Sequence, residues 1–293
     1  MPLREYLEQQ QKRVEAALDR IAPPDTASPE TIHQAMRYSL FAGGKRLRPI
    51  LCMEAAQTVS GDVEGVEEAA AALELIHTYS LIHDDLPALD NDDLRRGRST
   101  NHKVFGEAMA ILAGDGLLTL AFSVLARLPA DAAIRVRLIT ELASASGTVD
   151  GMIAGQVRDL EGEHAEPTAQ RLESIHRAKT GALLRASVRV GGIYAGAATG
   201  QLTALTCFGE HIGLAFQIID DVLDVEQSSE TLGKTAGKDA ARKKITFPAV
   251  YGLRRSREMA AEELQRAHAS LQPFGDRARW LRAIAELIVH RNA

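Results

Sequence analysis

Cysteine is nearly absent from these 293 residues: Cys52 and Cys207 are the two, both in apolar, helix-like surroundings. That excludes a disulfide framework and a zinc-ligand spacing, and it points to a reducing compartment. Aromatic residues make up 4% of the chain, while alanine and leucine are abundant, so the composition leans to helix. No run of about 18 apolar residues suggests a membrane span. The opening stretch, MPLREYLEQQQKR, has no apolar signal core. A formal net charge of −5 argues against nucleic acid as a partner. Strand patterning, internal repeats and low-complexity tracts are missing. The expectation is a cytoplasmic protein built from helices.

What the chain does have is acid concentrated in two places. Gly213 to Val225 reads GLAFQIIDDVLDV, an apolar run broken by Gln217, Asp220, Asp221 and Asp224. Their spacing of i, i+3, i+4 and i+7 puts them in one stripe along a helix. Like charges so close repel, and a buried unpaired carboxylate costs several kcal/mol, so a cation is expected to answer them. Magnesium suits carboxylate oxygens, taking one or two of them plus substrate phosphates. Leu81 to Arg98, LIHDDLPALDNDDLRRGR, has the same character, with Asp84 and Asp85 closing an apolar helix. Asp90 would point about 120° away from Asp84 on a straight helix. Pro87 lies between and is expected to kink the helix, re-aiming Asp90 toward the same ion. The two clusters are expected to face each other as a magnesium and diphosphate clamp.

Cations and glycines surround these stretches in sequence. Residues 1–21 pattern as an amphipathic helix, and Ser28 with Pro29 is expected to cap and open the next. At 41–49, FAGGKRLRP, the glycines Gly43 and Gly44 allow close backbone approach to a ligand beside Lys45, Arg46 and Arg48. That makes an anion site, although a turn with solvated charges would read the same way. A long helix is expected over about 66–86. On it His77, Ser80 and Asp84 share a face, while His83 reads as structural. Asp92 and Asp93 read as a solvated loop, Arg95 and Arg96 as phosphate partners, and Asp115 has no assignment. Small residues crowd 138–160, where Gln156 and Asp159 are the polar exceptions. Lys179 and Thr180 sit in an apolar helix, where a buried lysine needs an anion. The loop 226–239, with Lys234 and Lys238, reads as a lid. Helices are then expected at ITFPAVYG, 257–272 and 276–289.

Taken together, GGKRLRP at 43–49, LIHDDLPALD at 81–90 with LRRGR, AKTG at 178–181, FQIIDDVLD at 216–224, GK at 233–234 and KKITFP at 243–248 resemble the trans-isoprenyl diphosphate synthase family, most closely its bacterial farnesyl members. The pieces keep the family's order and span nearly the whole chain. The resemblance implies one all-α domain over 1–293, a single large helical bundle around a deep central cavity, paired as a homodimer. It implies a Mg²⁺ cofactor, as a three-ion cluster with bound diphosphate, on Asp84, Asp85, Asp90, Asp220 and Asp224, with Asp221 in support. Arg95, Lys179, Lys234 and Lys244 would contact the allylic diphosphate. Gly44, Lys45, Arg48, His77 and Arg96 would bind isopentenyl diphosphate. Thr180 and Gln217 would line the reacting centre beside Lys179. The carboxyl-terminal His290 and Arg291 would approach the isopentenyl site. Asn91 departs from the family's often all-acidic run.

Product length follows from geometry. Asp84 marks the diphosphate end, and Ser80 lies one turn, about 5.4 Å, beneath it. Tyr79 beside Ser80 is expected to form the floor that stops elongation at fifteen carbons, although a core tyrosine near a dimer interface would fit the same position. A geranyl or geranylgeranyl diphosphate synthase differs only in depth. A terpene cyclase shares the aspartate logic but has no use for a second diphosphate site at Lys45, Arg48 and Arg96. Two intact aspartate clusters argue against a non-catalytic partner subunit.

Overall fold

The computed structural model describes residues 1–61, 63–163, 165–226 and 245–291. It is all-α, apart from one two-stranded hairpin. Contacts divide the chain into two compact units, Met1–Ile50 with Glu64–Ile139, and Leu51–Val63 with Thr140–Ala293.

The first unit is organised on α4 (Val66–Asp84), whose run from Ala69 to Ile76 is buried throughout. Its four consecutive alanines let neighbouring helices approach closely, and Glu67 and Glu68 favour its amino-terminal dipole. Against it lies α1 (Leu3–Ile21), burying Tyr6, Gln10, Val14, Ala17 and Leu18 along one stripe. Arg13–Glu67 and Arg20–Glu68 ion pairs, each 2.6 Å, flank that contact. On another side, α6 (Glu107–Arg127) buries Ala110, Ala113, Gly114, Leu117, Ala121 and Leu125. α2 (Glu30–Leu40) and α5 (Asn101–Phe105) complete the unit. Ser28 is not the cap of α2. Pro29 holds the N-cap position in extended backbone, with no side-chain bond to the helix.

α3 (Leu47–Ser60) and α7 (Ala132–Ser146) each run through a unit boundary. In the second unit, α8 (Met152–Gly162), α9 (Ala169–His176) and α10 (Ala182–Tyr194) precede α11 (Thr199–Glu226). The acidic run of 213–225 is thus the carboxyl-terminal half of a 28-residue helix. The glycine- and alanine-rich stretch before it is mostly helical, since α10 continues to Tyr194 and only 195–198 connect. Close approach requires Gly191, where a Cβ would stand 2.0 Å from the Cys52 carbonyl oxygen. α12 (Phe247–Tyr251), α13 (Leu253–Ser270) and α14 (Arg279–Val289) follow, with Gln272–Ala278 in tighter 3₁₀ turns.

Both cysteines are free, and burial pushes the Cys52 thiol well above its ordinary range. Among the described residues, α6 and α11 are long and apolar enough to cross a membrane. No uninterrupted apolar run marks them in the sequence, because Asp115 interrupts one and Glu210 with His211 the other. Over half of the α11 window is buried against neighbouring helices.

Candidate active site

In the first unit the glycine loop is bound down from three sides. Gly43 and Gly44 take φ of +85° and +123°, and Arg46 follows at +48°. Arg46 is fully buried. It donates to Glu15 at 2.6 Å, to Glu74 at 2.8 Å and to the Leu40 carbonyl at 2.6 Å. It is therefore a structural anchor to α1 and α4, whereas its neighbours differ in burial, Lys45 being exposed and Arg48 half-buried. Gln11 donates to the Gly44 carbonyl at 3.0 Å, and Arg96 donates to the Gly43 carbonyl. A Cβ on Gly44 would stand 2.5 Å from the Arg96 guanidinium, so only glycine admits this contact.

Arg96 owes its place to the hairpin, strands β1 (Leu94–Arg95) and β2 (Arg98–Ser99), with Arg95 opposite Arg98. Arg96 and Gly97 both have positive φ, +53° and +73°, as a two-residue turn of the tight hairpin type demands. Strand patterning gave no sign of it, because two residues are too few for a period. Desolvation lowers the basicity of Arg96, and Arg46 and Arg95 add like charge. His77, on α4, is held well below the usual imidazole range by burial and then by Arg48, Arg96, Arg95 and Arg46. Four guanidiniums thus act on one neutral ring, an arrangement that favours an anion.

The first aspartates stand at the end of α4. The helix does not kink at Pro87; it stops at Asp84. The Leu86 N–H turns back to His83 at 3.1 Å, and the residue before a proline disfavours helix. The chain then folds over, so that the Asp90 N–H donates to the Asp84 carbonyl at 2.7 Å. Asp90 is therefore returned to Asp84 by a loop instead of a kink. Asp85, 3% exposed, has both carboxylate oxygens on Arg95 at 2.5–2.9 Å. Burial pushes its carboxyl up while Arg95 pulls it back. Asp92 is not solvated: it is buried, 3.9 Å from Arg95. Asp93 is exposed and pairs with Lys103. Tyr79 is buried, its hydroxyl pushed up to about 12 by burial and by Asp84. The Ser80 hydroxyl donates to the His77 carbonyl at 2.8 Å.

In the second unit, α9 passes into α10 through a wider π turn, Arg177–Gly181, which carries Lys179 and Thr180. Such insertions re-aim side chains, frequently at functional sites. Gly155 of α8 makes room for it, since a Cβ there would lie 2.1 Å from the Lys179 nitrogen. The anion that Lys179 needs is Asp159, at 2.7 Å. Thr180 donates to Gln217 at 2.8 Å, and Gln217 donates to Asp221 at 2.8 Å, so these expected neighbours do meet. Asp221, 3% exposed, also accepts from the Phe247 backbone N–H at 2.9 Å, and His176 lies 3.5 Å away. Asp224 is 6% exposed, and Asp220 half-exposed. Arg291 donates to Asp220 at 2.5 Å and to the Phe216 carbonyl at 3.2 Å, over the Phe216 ring. This places it on the second aspartate helix, a contact that no local pattern foretells. Lys234, Lys244 and nearly all of the expected lid loop lie outside the described residues.

Carboxylates are the hard oxygen donors magnesium prefers. Among the described residues no three ligating side chains converge as a ready metal cage.

An all-α fold with aspartate pairs on two helices and an arginine-bearing glycine turn fits a class of helical enzymes that act on diphosphates. The sequence pattern described as polyprenyl synthetase matches residues 29–287, and the chain belongs to that family, whose activity is prenyl transfer. It is 45% identical to a farnesyl diphosphate synthase of Geobacillus stearothermophilus, over 100% of this chain and 99% of that one. It is 47% identical to the heterodimeric geranylgeranyl pyrophosphate synthase large subunit 1, chloroplastic, of Arabidopsis thaliana, over 98% and 79%. The apo structure of an FPP/GFPP synthase from Zymomonas mobilis superposes with a TM-score of 0.88 at 37% identity, covering 98% of each chain.

Proposed function

We propose that the chain is a magnesium-dependent, cytoplasmic prenyltransferase that joins isopentenyl diphosphate head-to-tail to dimethylallyl and then geranyl diphosphate, giving farnesyl diphosphate. The observation that carries this reading is the glycine turn that presents Lys45 and Arg48, to which Arg96 is bonded through the Gly43 carbonyl, in the same unit as Asp84. A diphosphate site beside a metal-seeking carboxylate serves a two-substrate condensation. A cyclase needs only the second of these.

Asp84 and Asp90 in one unit, and Asp220 and Asp224 in the other, are assigned to magnesium. Asp85 and Asp221 hold Arg95 and Gln217 in place. When bound, the metal supplies stabilisation of the negative charge that develops on the departing diphosphate. By resemblance alone, Arg95, Lys179, Lys234 and Lys244 are assigned to the allylic diphosphate. Lys45, Arg48 and Arg96 grip the isopentenyl diphosphate beside the Gly44 backbone, and His77 hydrogen-bonds without adding charge. Thr180 and Gln217 border the reacting carbon. The allylic C–O bond breaks, the isopentenyl double bond attacks the cation, and a proton leaves to the departed diphosphate. Apolar helices keep water from the cation.

One family pattern running over 29–287 supports a single catalytic domain. The exposed apolar side chains Ile111 and Leu112 on α6, 44% and 53% accessible, support a homodimer through that helix. Tyr79 supports a fifteen-carbon limit. The test is a product assay with labelled isopentenyl diphosphate and either allylic starter, with magnesium or chelator. Magnesium-dependent fifteen-carbon product is expected from both starters. A twenty-carbon product removes Tyr79 as the floor, and diphosphate release without condensation overturns the reading.

A further inference from the structure

On the reading that Tyr79 ends elongation, we propose that His83 is a positioning residue for product length, holding the Tyr79 ring in place from a seat that Gly114 of α6 provides. Tyr79 and His83 are i and i+4 on α4, one above the other on the same face. Their rings meet edge to face, centroids 5.7 Å apart at 78°. The Tyr79 hydroxyl is buried without a hydrogen-bond partner. No polar contact of that hydroxyl anchors the ring, so its position rests on packing, and His83 is its aromatic neighbour.

His83 is itself fixed from the second helix. Its Nε2 lies 3.1 Å from the Ile111 carbonyl oxygen. A carbonyl only accepts, so Nε2 carries the proton there. Asp115, without a role in the reaction, stands 4.0 Å from the same nitrogen. A Cβ on Gly114 would lie 2.1 Å from Nε2 and 2.5 Å from Cδ2. Even alanine at 114 therefore expels the imidazole, and Tyr79 loses its neighbour. By this route the α6 backbone at Ile111 and Gly114 bears on product length.

The experiment sizes the products of the full chain and of Tyr79→Ala, His83→Ala, His83→Gln and Gly114→Ala. Labelled isopentenyl diphosphate and geranyl diphosphate are supplied at saturating magnesium, with a melting curve for each variant. The ratio of twenty- to fifteen-carbon product does not depend on how much enzyme is folded, so mere destabilisation leaves it unmoved. His83→Ala and Gly114→Ala are expected to raise the ratio at least about fivefold, a barrier change of about 1 kcal/mol. His83→Gln, whose amide can still donate to the Ile111 carbonyl, stays near the parent. If Tyr79→Ala lengthens the product while His83→Ala and Gly114→Ala keep the parental ratio, the positioning role is overturned and the floor stands. If Tyr79→Ala leaves the ratio unchanged, the floor fails and the role of His83 goes with it. Should His83→Ala not fold, Gly114→Ala decides alone.

Discussion

The two aspartate helices use the same pair of letters in different settings. On α4 the pair Asp84–Asp85 closes the helix, where the backbone carbonyls add negative potential of their own. On α11 the pair Asp220–Asp221 lies in the last third of a helix that continues to Glu226. In both, the first aspartate is half-exposed and the second is 3% exposed. The buried member is satisfied by a guanidinium in one case, and by an amide side chain and a backbone N–H in the other. Each pair thus divides into an accessible carboxylate and a scaffold. The α4 scaffold is ionic and the α11 scaffold mostly neutral, so they should fail differently.

The sharpest contrast is Arg95→Ala. It leaves Asp85 buried without its charge partner, a loss of about 3–5 kcal/mol, read as a large drop in melting temperature. Arg95→Lys should recover only part of it, since an ammonium cannot bridge both oxygens. Next come Asp84→Ala and Asp220→Ala. Each should lower turnover on the order of 10²–10³-fold while the melting temperature holds. Equal destabilisation by the exposed and buried aspartates would erase the division. Asp221→Ala should cost about 1–3 kcal/mol, because the Phe247 N–H loses its acceptor. This is smaller than the Arg95 loss, as a neutral scaffold requires.

The smallest effect belongs to His77. Its folded pKa lies below its unfolded value. Above the unfolded value no stability is lost. As pH falls below about 6.5 the unfolded chain takes up a proton that the folded chain refuses, costing at most about 1.4 kcal/mol per pH unit. Urea titrations at pH 7 and pH 5 should show this slope, and His77→Gln should flatten it. Added diphosphate should do the same by neutralising the arginines.

How much of this was legible in sequence depended on range. The stripe of Gln217, Asp220, Asp221 and Asp224 was readable because helical period is local, and Thr180 joined it through the motif resemblance. Composition gave the helical class. Pro87 marks a disruption legible in the sequence, but the helix ends before it and does not kink; the loop that returns Asp90 depends on backbone bonds to Asp84 and Leu86. Arg46 and Arg48 look alike in GGKRLR, yet one is locked by Glu15 and Glu74, thirty-one and twenty-eight residues away. Asp159 with Lys179, and Arg291 with Asp220, are tertiary pairs without a local signal. The π turn at Lys179 has no local signal, and the room for it comes from Gly155 on another helix.

The most direct measurement compares the magnesium dependence of isopentenyl diphosphate condensation in Asp220→Ala and Asp221→Asn, side by side with the parent. The division of roles predicts that Asp220→Ala loses turnover or needs at least about tenfold more magnesium, a change of about 1.4 kcal/mol. Asp221→Asn, which keeps an acceptor for Phe247, should hold its magnesium midpoint within about threefold, under 1 kcal/mol. A magnesium midpoint displaced by Asp221→Asn and unmoved by Asp220→Ala would contradict it.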